Sequence, residues 1–98
     1  MTIIGQLERA RGVGKYKVDA GSASVTMSSS GGTISTGLAT VTSAVVDVVE
    51  STAGTAYMVK IDSISGGDIT IRVFSYDGTT FAEVTSGTVN VRYIAIGY

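Results

Sequence analysis

Acidic residues are the side chains of this sequence that come closest to a catalytic arrangement. Asp47 lies three residues before Glu50, and paired carboxylates can serve as acid and nucleophile on a glycosidic bond. Asp62 and Asp68 form a second near pair. Asp68 follows two glycines and Asp77 precedes one, so turn formation accounts for both. Because no pattern places these carboxylates in a perturbed environment, we expect no catalytic residue among them and no enzyme activity.

Nucleotide, nucleophile and metal chemistry lack the residues that they need. Residues 12–15, Gly-Val-Gly-Lys, are similar to part of a phosphate-binding loop, but the spacing is wrong and Tyr16 stands where Ser or Thr belongs. The absence of His and Cys removes the usual general base, the activator of a serine nucleophile and the commonest transition-metal ligands. The acidic residues also lack a recognisable calcium-ligand spacing. We therefore expect neither a metal nor a cofactor.

Charge is scarce and unevenly distributed along the chain. Charged residues make up 15% of the sequence and the net charge is −1, whereas an average soluble domain has roughly 25% charged residues. Three cations against seven carboxylates give residues 19–98 a net charge of −4. Four cations against one carboxylate give residues 1–18 a net charge of +3. This asymmetry suits docking of a basic arm on an acidic neighbour, with a solvated terminus as the alternative. We predict a partner contact for each cation of the arm and its flank: Arg9, Arg11, Lys15 and Lys17.

Nucleic acid, membrane and secretion are all disfavoured by the sequence. Tyr16 is the only aromatic residue of the basic segment and the whole chain is slightly acidic, so we expect no nucleic-acid binding. The amino terminus lacks the basic start and long apolar run of a signal peptide. Asp47 interrupts the longest apolar stretch, residues 44–49, which is too short to span a bilayer. We expect a soluble protein that is made without secretion.

β-Branched residues dominate the composition and indicate an all-β fold. Thirteen Val, nine Ile and thirteen Thr occur beside only two Leu, and β-branched side chains favour pleated surfaces over helices. Apolar residues alternate along 69–73 and 89–95, as they do in strands with one buried face. We predict a single-domain antiparallel β-sandwich of six to seven short strands, spanning residues 13–98 after an amino-terminal arm at 1–12. The predicted strands are 13–19, 22–28, 41–50, 56–64, 68–76, 80–84 and 88–97.

Glycine pairs and Asp-Gly predict where the chain turns. Gly66-Gly67 predicts a type I′ hairpin, because both glycines can adopt positive φ. Asp77-Gly78 predicts a second hairpin, across which Tyr76 and Phe81 can pair. We predict that these two aromatic residues contact a partner, since exposed aromatic side chains fill partner pockets or stack on sugars. The alternative is that they only pack within the fold. Residues 28–32, Ser-Ser-Ser-Gly-Gly, are predicted to form a flexible loop.

Two further patterns bear on exposed surfaces. Residues 41–49 carry apolar side chains on both faces, which indicates either a central strand covered on both sides or a subunit contact. Lys60, Arg72 and Arg92 interrupt otherwise apolar strands and mark the side that faces solvent or a partner. A lone cation in a strand is usually a guard against edge-to-edge aggregation.

One further pattern runs through most of the chain. It consists of 34–38 (Ile-Ser-Thr-Gly-Leu), the valines at 41, 45 and 46, 57–61 (Tyr-Met-Val-Lys-Ile), 66–73 (Gly-Gly-Asp-Ile-Thr-Ile-Arg-Val) and 91–97 (Val-Arg-Tyr-Ile-Ala-Ile-Gly). With these segments, residues 34–97 resemble a type of small structural protein of tailed-bacteriophage virions. The terminal pattern also resembles H-type lectin-like six-stranded sandwiches, although the usual strand Trp is absent and Tyr93 takes the aromatic place.

The resemblance implies a multi-copy component of the virion, assembled in the host cytoplasm. The leading interpretation is a capsid decoration (cement) protein that forms a homo-oligomer, such as a trimer, and docks on the major capsid protein or another virion protein. The alternative is a tail or fibre module that binds host glycan through exposed aromatic residues such as Tyr76 and Phe81.

Overall fold

The protein folds into two packed antiparallel β-sheets. The computed structural model describes residues 16–50 and 54–98. No helix occurs in these two ranges, so none of their segments is a helix long and apolar enough to cross a bilayer. The architecture confirms the predicted single-domain β-sandwich. The described residues form seven strands: β1 (Lys17–Thr26), β2 (Gly32–Ser35), β3 (Val41–Val48), β4 (Ala56–Ser65), β5 (Asp68–Tyr76), β6 (Phe81–Glu83) and β7 (Thr88–Gly97).

One long strand forms the centre of each sheet. The first sheet has the order β1-β7-β3, and β1 pairs with β7 without interruption from Lys17 opposite Gly97 to Thr26 opposite Thr88. The second sheet has the order β2-β5-β4, and β6 pairs with the last three residues of β5. Side chains therefore alternate between the interface of the two sheets and two outer faces.

The core consists of the inward side chains of both sheets, as the alternation predicted. Ile69, Ile71 and Val73 of β5 are fully buried, and they belong to the same core cluster as the inward residues of β7. None of the polar or charged side chains in the described ranges is buried. The core is therefore held by apolar packing, contributed by Val25, Met27, Ile34, Leu38, Val41, Val46, Ile69, Ile71, Val73, Val89, Val91 and Ala95.

Two predicted boundaries in the first half of the chain are wrong. The chain continues as one strand, β1, where strands 13–19 and 22–28 were predicted, because Gly21 pairs opposite Tyr93 and lies beside its ring. The predicted loop at 28–32 is shorter than expected. Gly31, with φ of 94°, bends the chain tightly, and the next residue already begins β2. Residues 13–15 and the predicted arm at 1–12 lie outside the described residues.

The segment 41–49, for which a central strand was one interpretation, forms an edge strand. Among the described strands, β3 pairs only with β7. Its inward residues Val41 and Val46 are buried, whereas Val45 is 68% exposed and Val49 is 46% exposed. The central-strand interpretation is therefore wrong, and the alternative of a subunit contact stays a prediction.

The three strand cations do point outward, but protection of a sheet edge explains only one of them. Lys60 belongs to β4, an edge strand of the second sheet. Arg72 lies on β5 and Arg92 on β7, and both of these strands are central. Another role is therefore needed for the two arginines.

The Gly66-Gly67 hairpin forms in the predicted place with a different turn type. Ser65 pairs with Asp68, so the loop has two residues. Only Gly66 has positive φ (57°), which is the pattern of a type II′ turn rather than of type I′. Gly67 is needed for another reason, because a side chain there would overlap the carbonyl group of Leu38.

Candidate interaction surfaces

The outer face of the first sheet carries an apolar row beside a charged row. Ile94 of β7 pairs with Ala20 of β1 and Val45 of β3, and all three point outward. In the next row, Arg92 pairs with Ser22 and Asp47. Ile94 is 52% exposed, and a shallow groove of about 460 Å³ runs over both rows. We call this surface the Ile94 face, defined by Ala20, Ser22, Val45, Asp47, Arg92 and Ile94.

The charges of the Ile94 face do not neutralise one another. Asp47 Oδ1 accepts the backbone N–H of Val48 at 2.9 Å. Within residues 16–50 and 54–98, the guanidinium of Arg92 makes neither a hydrogen bond nor an ion pair, even with the neighbouring Asp47. The face therefore presents one cation and one carboxylate side by side, each able to bind a group from outside.

Arg72, on the outer face of the second sheet, is by contrast fully engaged. Its Nη1 donates to Glu83 Oε2 at 2.9 Å and to the carbonyl oxygen of Ser29 at 3.1 Å, and its Nε lies 3.4 Å from Asp62 Oδ2. The hydrogen bond to Glu83 and the charges of Asp62 and Glu83 raise the pKa of Arg72 further above its ordinary value. Arg72 thus ties together β4, β5, β6 and the loop before β2, and has a structural role.

Aromatic residues cover the far end of the second sheet. Phe74 and Phe81 stack with ring centroids 5.5 Å apart and an interplanar angle of 6°. Tyr76 pairs across the hairpin with Phe81, and Met58 pairs with Phe74. Met58, Tyr76 and Phe81 are all exposed. We call Met58, Phe74, Tyr76 and Phe81 the aromatic surface.

The Asp77-Gly78 turn positions the aromatic surface. Asp77 Oδ1 accepts the backbone N–H groups of Thr79 at 2.9 Å and Thr80 at 2.7 Å, and these bonds hold the pKa of Asp77 below its usual range. The hydroxyl of Tyr76 donates to the carbonyl oxygen of Gly78 at 3.0 Å. These hydrogen bonds tie the turn together and link the tyrosine side chain to it.

The structure does not bring the predicted contact residues to one surface. Tyr76 and Phe81 are neighbours, as predicted from their hairpin. Lys17 lies at the opposite end of the sandwich. It pairs with Gly97, as Val41 does on the other side of β7. The backbone N–H of Val41 donates to Gly66, in the turn just before β5, whereas Tyr76 ends that strand. The remaining predicted contacts lie outside the described residues: Arg9, Arg11 and Lys15.

The sequence prediction missed the Ile94 face as a unit. Alternation along β7 does place Arg92 and Ile94 on one side of the strand. Their partners Asp47 and Val45 could not be identified, because the β3–β7 pairing joins segments that are far apart in the sequence. In the described part of the chain, no three acidic side chains gather in a way that could hold a metal ion.

One polar contact ties the first sheet to the loop before β3. The hydroxyl of Tyr93 donates to Asp19 Oδ2 at 3.2 Å, and the same oxygen accepts the backbone N–H of Gly37 at 2.7 Å. Burial, together with the hydrogen bond to Asp19 and its charge, raises the pKa of Tyr93 above the ordinary value of 10.

Replacing Tyr93 with phenylalanine should lower the free energy of unfolding by about 1 kcal/mol at neutral pH. The pKa of Tyr93 is raised on folding. The tyrosine therefore makes its full contribution to the free energy of unfolding below pH 10, and this contribution is lost as the pH rises through the higher pKa of the folded state. The difference between wild type and Tyr93→Phe, measured by urea unfolding at several pH values, should therefore shrink in alkali. A difference that stays constant up to the pH of global unfolding contradicts this role.

No family model matches the chain, and the comparisons found no similar curated protein and no similar solved structure.

Proposed function

We propose that the protein is a non-enzymatic structural component of a bacteriophage virion, a decoration (cement) protein that docks on the capsid shell and associates with copies of itself. The observation that carries the proposal is the exposure of large apolar side chains on both outer faces of a sandwich whose core is already complete. Soluble monomers rarely leave contiguous apolar patches uncovered unless a partner binds there. Exposed large apolar side chains on the outer faces include Val45, Met58, Tyr76, Phe81 and Ile94.

The sequence supports the same proposal in two ways. Residues 34–97 carry the pattern that resembles small virion proteins. Only 15% of the residues are charged, which suits a subunit that buries much of its surface against neighbours, because interface cores are depleted of charge.

The two outer faces suit two different contacts. The aromatic surface resembles the centre of a protein interface, where aromatic residues and Met are enriched, and we assign it to the shell. The basic segment would add electrostatic attraction to an acidic neighbour. Its cations are Arg9, Arg11, Lys15 and Lys17.

Sedimentation with undecorated capsids tests this proposal. The wild-type protein should pellet with the capsids, and Phe81→Ala should weaken binding about 30-fold, since an interface hot spot contributes about 2 kcal/mol. Thr33→Ala, which changes an exposed side chain of β2 in the same sheet, is the matched control and should bind normally.

Ionic strength separates the basic segment from the aromatic surface in the same experiment. The double variant Arg9→Ala, Arg11→Ala should bind more weakly at low salt and should approach wild type as salt screens the charges. Failure of the wild-type protein to pellet at any ionic strength would argue against a decoration protein.

The exposed stacked rings favour a second candidate function, a tail or fibre module that binds host glycan. Phe81 stacks on Phe74 and pairs with Tyr76 across the hairpin, and Phe81 and Tyr76 are both exposed. Sugars stack on exposed aromatic side chains of this kind. A glycan array probed with folded wild type and Phe81→Ala distinguishes this candidate. Glycan binding that Phe81→Ala abolishes, without capsid binding, would replace the decoration proposal.

A further inference from the structure

We propose that the Ile94 face is a self-association surface, on which a second copy of the chain packs about a two-fold axis with Arg92 of each copy against Asp47 of the other. The inference rests on the self-association part of the proposed function and on no other part of it. It requires neither a capsid nor a glycan.

The strand register makes this face complementary to itself. Val45 pairs with Ile94, and Asp47 pairs with Arg92, as adjacent outward rows of β3 and β7. Consider a two-fold axis that lies just above this face, parallel to β3 and β7 and midway between them. Rotation about it places β7 of one copy over β3 of the other. Each Arg92 then meets the Asp47 carboxylate of the second copy, and each Ile94 meets Val45. The contact is isologous, so both pairs occur twice.

The side chains of the face have the chemistry that such an interface needs. Val45 is 68% exposed and Ile94 is 52% exposed, so each loses much apolar surface when covered. The guanidinium of Arg92 has no hydrogen-bond or ion-pair partner within residues 16–50 and 54–98, and Arg is enriched at protein interfaces. The flanking row on β1 holds only the small Ala20 and Ser22, which leaves the groove open to a second sheet.

Charge selects a second copy over an unrelated apolar partner. A purely apolar occupant would bury the neighbouring Arg92 and Asp47 and would supply no hydrogen-bond partner for the groups that they leave unpaired, which is costly. A copy of the same face supplies the opposite charge at both positions. Two twisted sheets can pack face to face in this way, with strand directions within about 30° of each other.

Mass in solution, measured by analytical ultracentrifugation over a range of protein concentrations, tests the surface. Wild type should form dimers, alone or as units of a larger oligomer. Ile94→Asp should raise the dimer Kd about 100-fold, because the change removes an apolar contact twice and adds an unpaired charge. Met58→Asp is the matched control, since Met58 is also 52% exposed but lies on the other sheet, and it should leave the Kd unchanged.

Charge reversal gives a test that does not depend on the apolar row. Asp47→Arg alone places two arginines against each other across the axis, and Arg92→Asp alone places two aspartates against each other. Like charges repel, so each variant should raise the dimer Kd at least about 10-fold. An equimolar mixture of the two variants restores both opposite pairs and should form a heterodimer. Circular dichroism confirms that each variant is folded, and high salt should weaken the heterodimer.

Each result decides between the alternatives. Wild type that stays monomeric at about 1 mM overturns the inference, because association would then contribute less than about 4 kcal/mol. So does a dimer that Met58→Asp dissociates and Ile94→Asp does not, or a variant mixture that stays monomeric. A dimer that behaves as expected but does not pellet with capsids supports this surface and counts only against the decoration function.

Discussion

Alanine in place of Gly97 should lower the free energy of unfolding by about 3 kcal/mol or more, although only one methyl group is added. The new Cβ would overlap the carbonyl oxygen of Thr40 and would lie 2.8 Å from its carbonyl carbon and 3.0 Å from Val41 Cα. These are backbone atoms, which cannot rotate away as a side chain can. Thr40 is moreover held by two hydrogen bonds with Tyr98, at 2.8 and 2.9 Å, so relief of the overlap must disturb the pairing of β3 with β7.

Gly21→Ala is the control for Gly97→Ala within the same sheet. Gly21 lies in β1, and a Cβ there would meet nothing closer than the Tyr93 hydroxyl at 3.7 Å, an ordinary contact. Its φ is not in the left-handed region, so alanine fits and also reduces the entropy of the unfolded chain. Its effect should lie within about 0.5 kcal/mol of zero. Equal losses for the two variants in urea unfolding would show that close approach at Gly97 is not the cause.

The features that sequence predicted correctly depend on neighbours along the chain. The inward faces of β5 and β7 follow from alternation alone, because a strand reverses its side chains at every residue. The Tyr76–Phe81 pair follows from the Asp77-Gly78 turn, which joins two adjacent strands. Such local signals needed no knowledge of how the two sheets are ordered.

The features that sequence missed depend on segments that meet only in the folded protein. β2 begins directly after Gly31 because that glycine bends the chain, whereas the Ser-Gly composition alone indicated a loop. The apolar run at 41–49 looked central, and its position at an edge follows from the strand order of the first sheet. The need for glycine at 97 comes from the Thr40 backbone, which pattern analysis cannot place.

The candidate surfaces divide in the same way. The aromatic surface was partly predictable, since Tyr76 and Phe81 share a hairpin, although its contact with Phe74 was not. The charge pair of the Ile94 face was not predictable, because the alignment of Asp47 with Arg92 is a property of the β3–β7 register. A shift of one residue in that register would turn Asp47 away from Arg92. The proposed two-fold contact is thus a consequence of topology more than of composition.

Truncating Ile71 to alanine should cost about 3 to 4 kcal/mol of unfolding free energy. Ile71 is fully buried in the middle of β5, between Gly32 of β2 and Ile61 of β4. Gly32 has no side chain that could move into the space, so much of the cavity should persist and add to the lost apolar transfer energy.

Ile64→Ala provides the comparison for Ile71→Ala on the same strand pair. Ile64 is 38% exposed near the Gly66 turn, so its truncation should cost only about 1 kcal/mol. Both variants should be unfolded in urea at one protein concentration, because self-association adds to apparent stability by mass action. Neither change touches the Ile94 face, so the dimer Kd should be the same for both variants under native conditions. Equal losses at the two positions would mean that the sheet interface around Ile71 repacks, and would contradict a core held by fixed apolar packing.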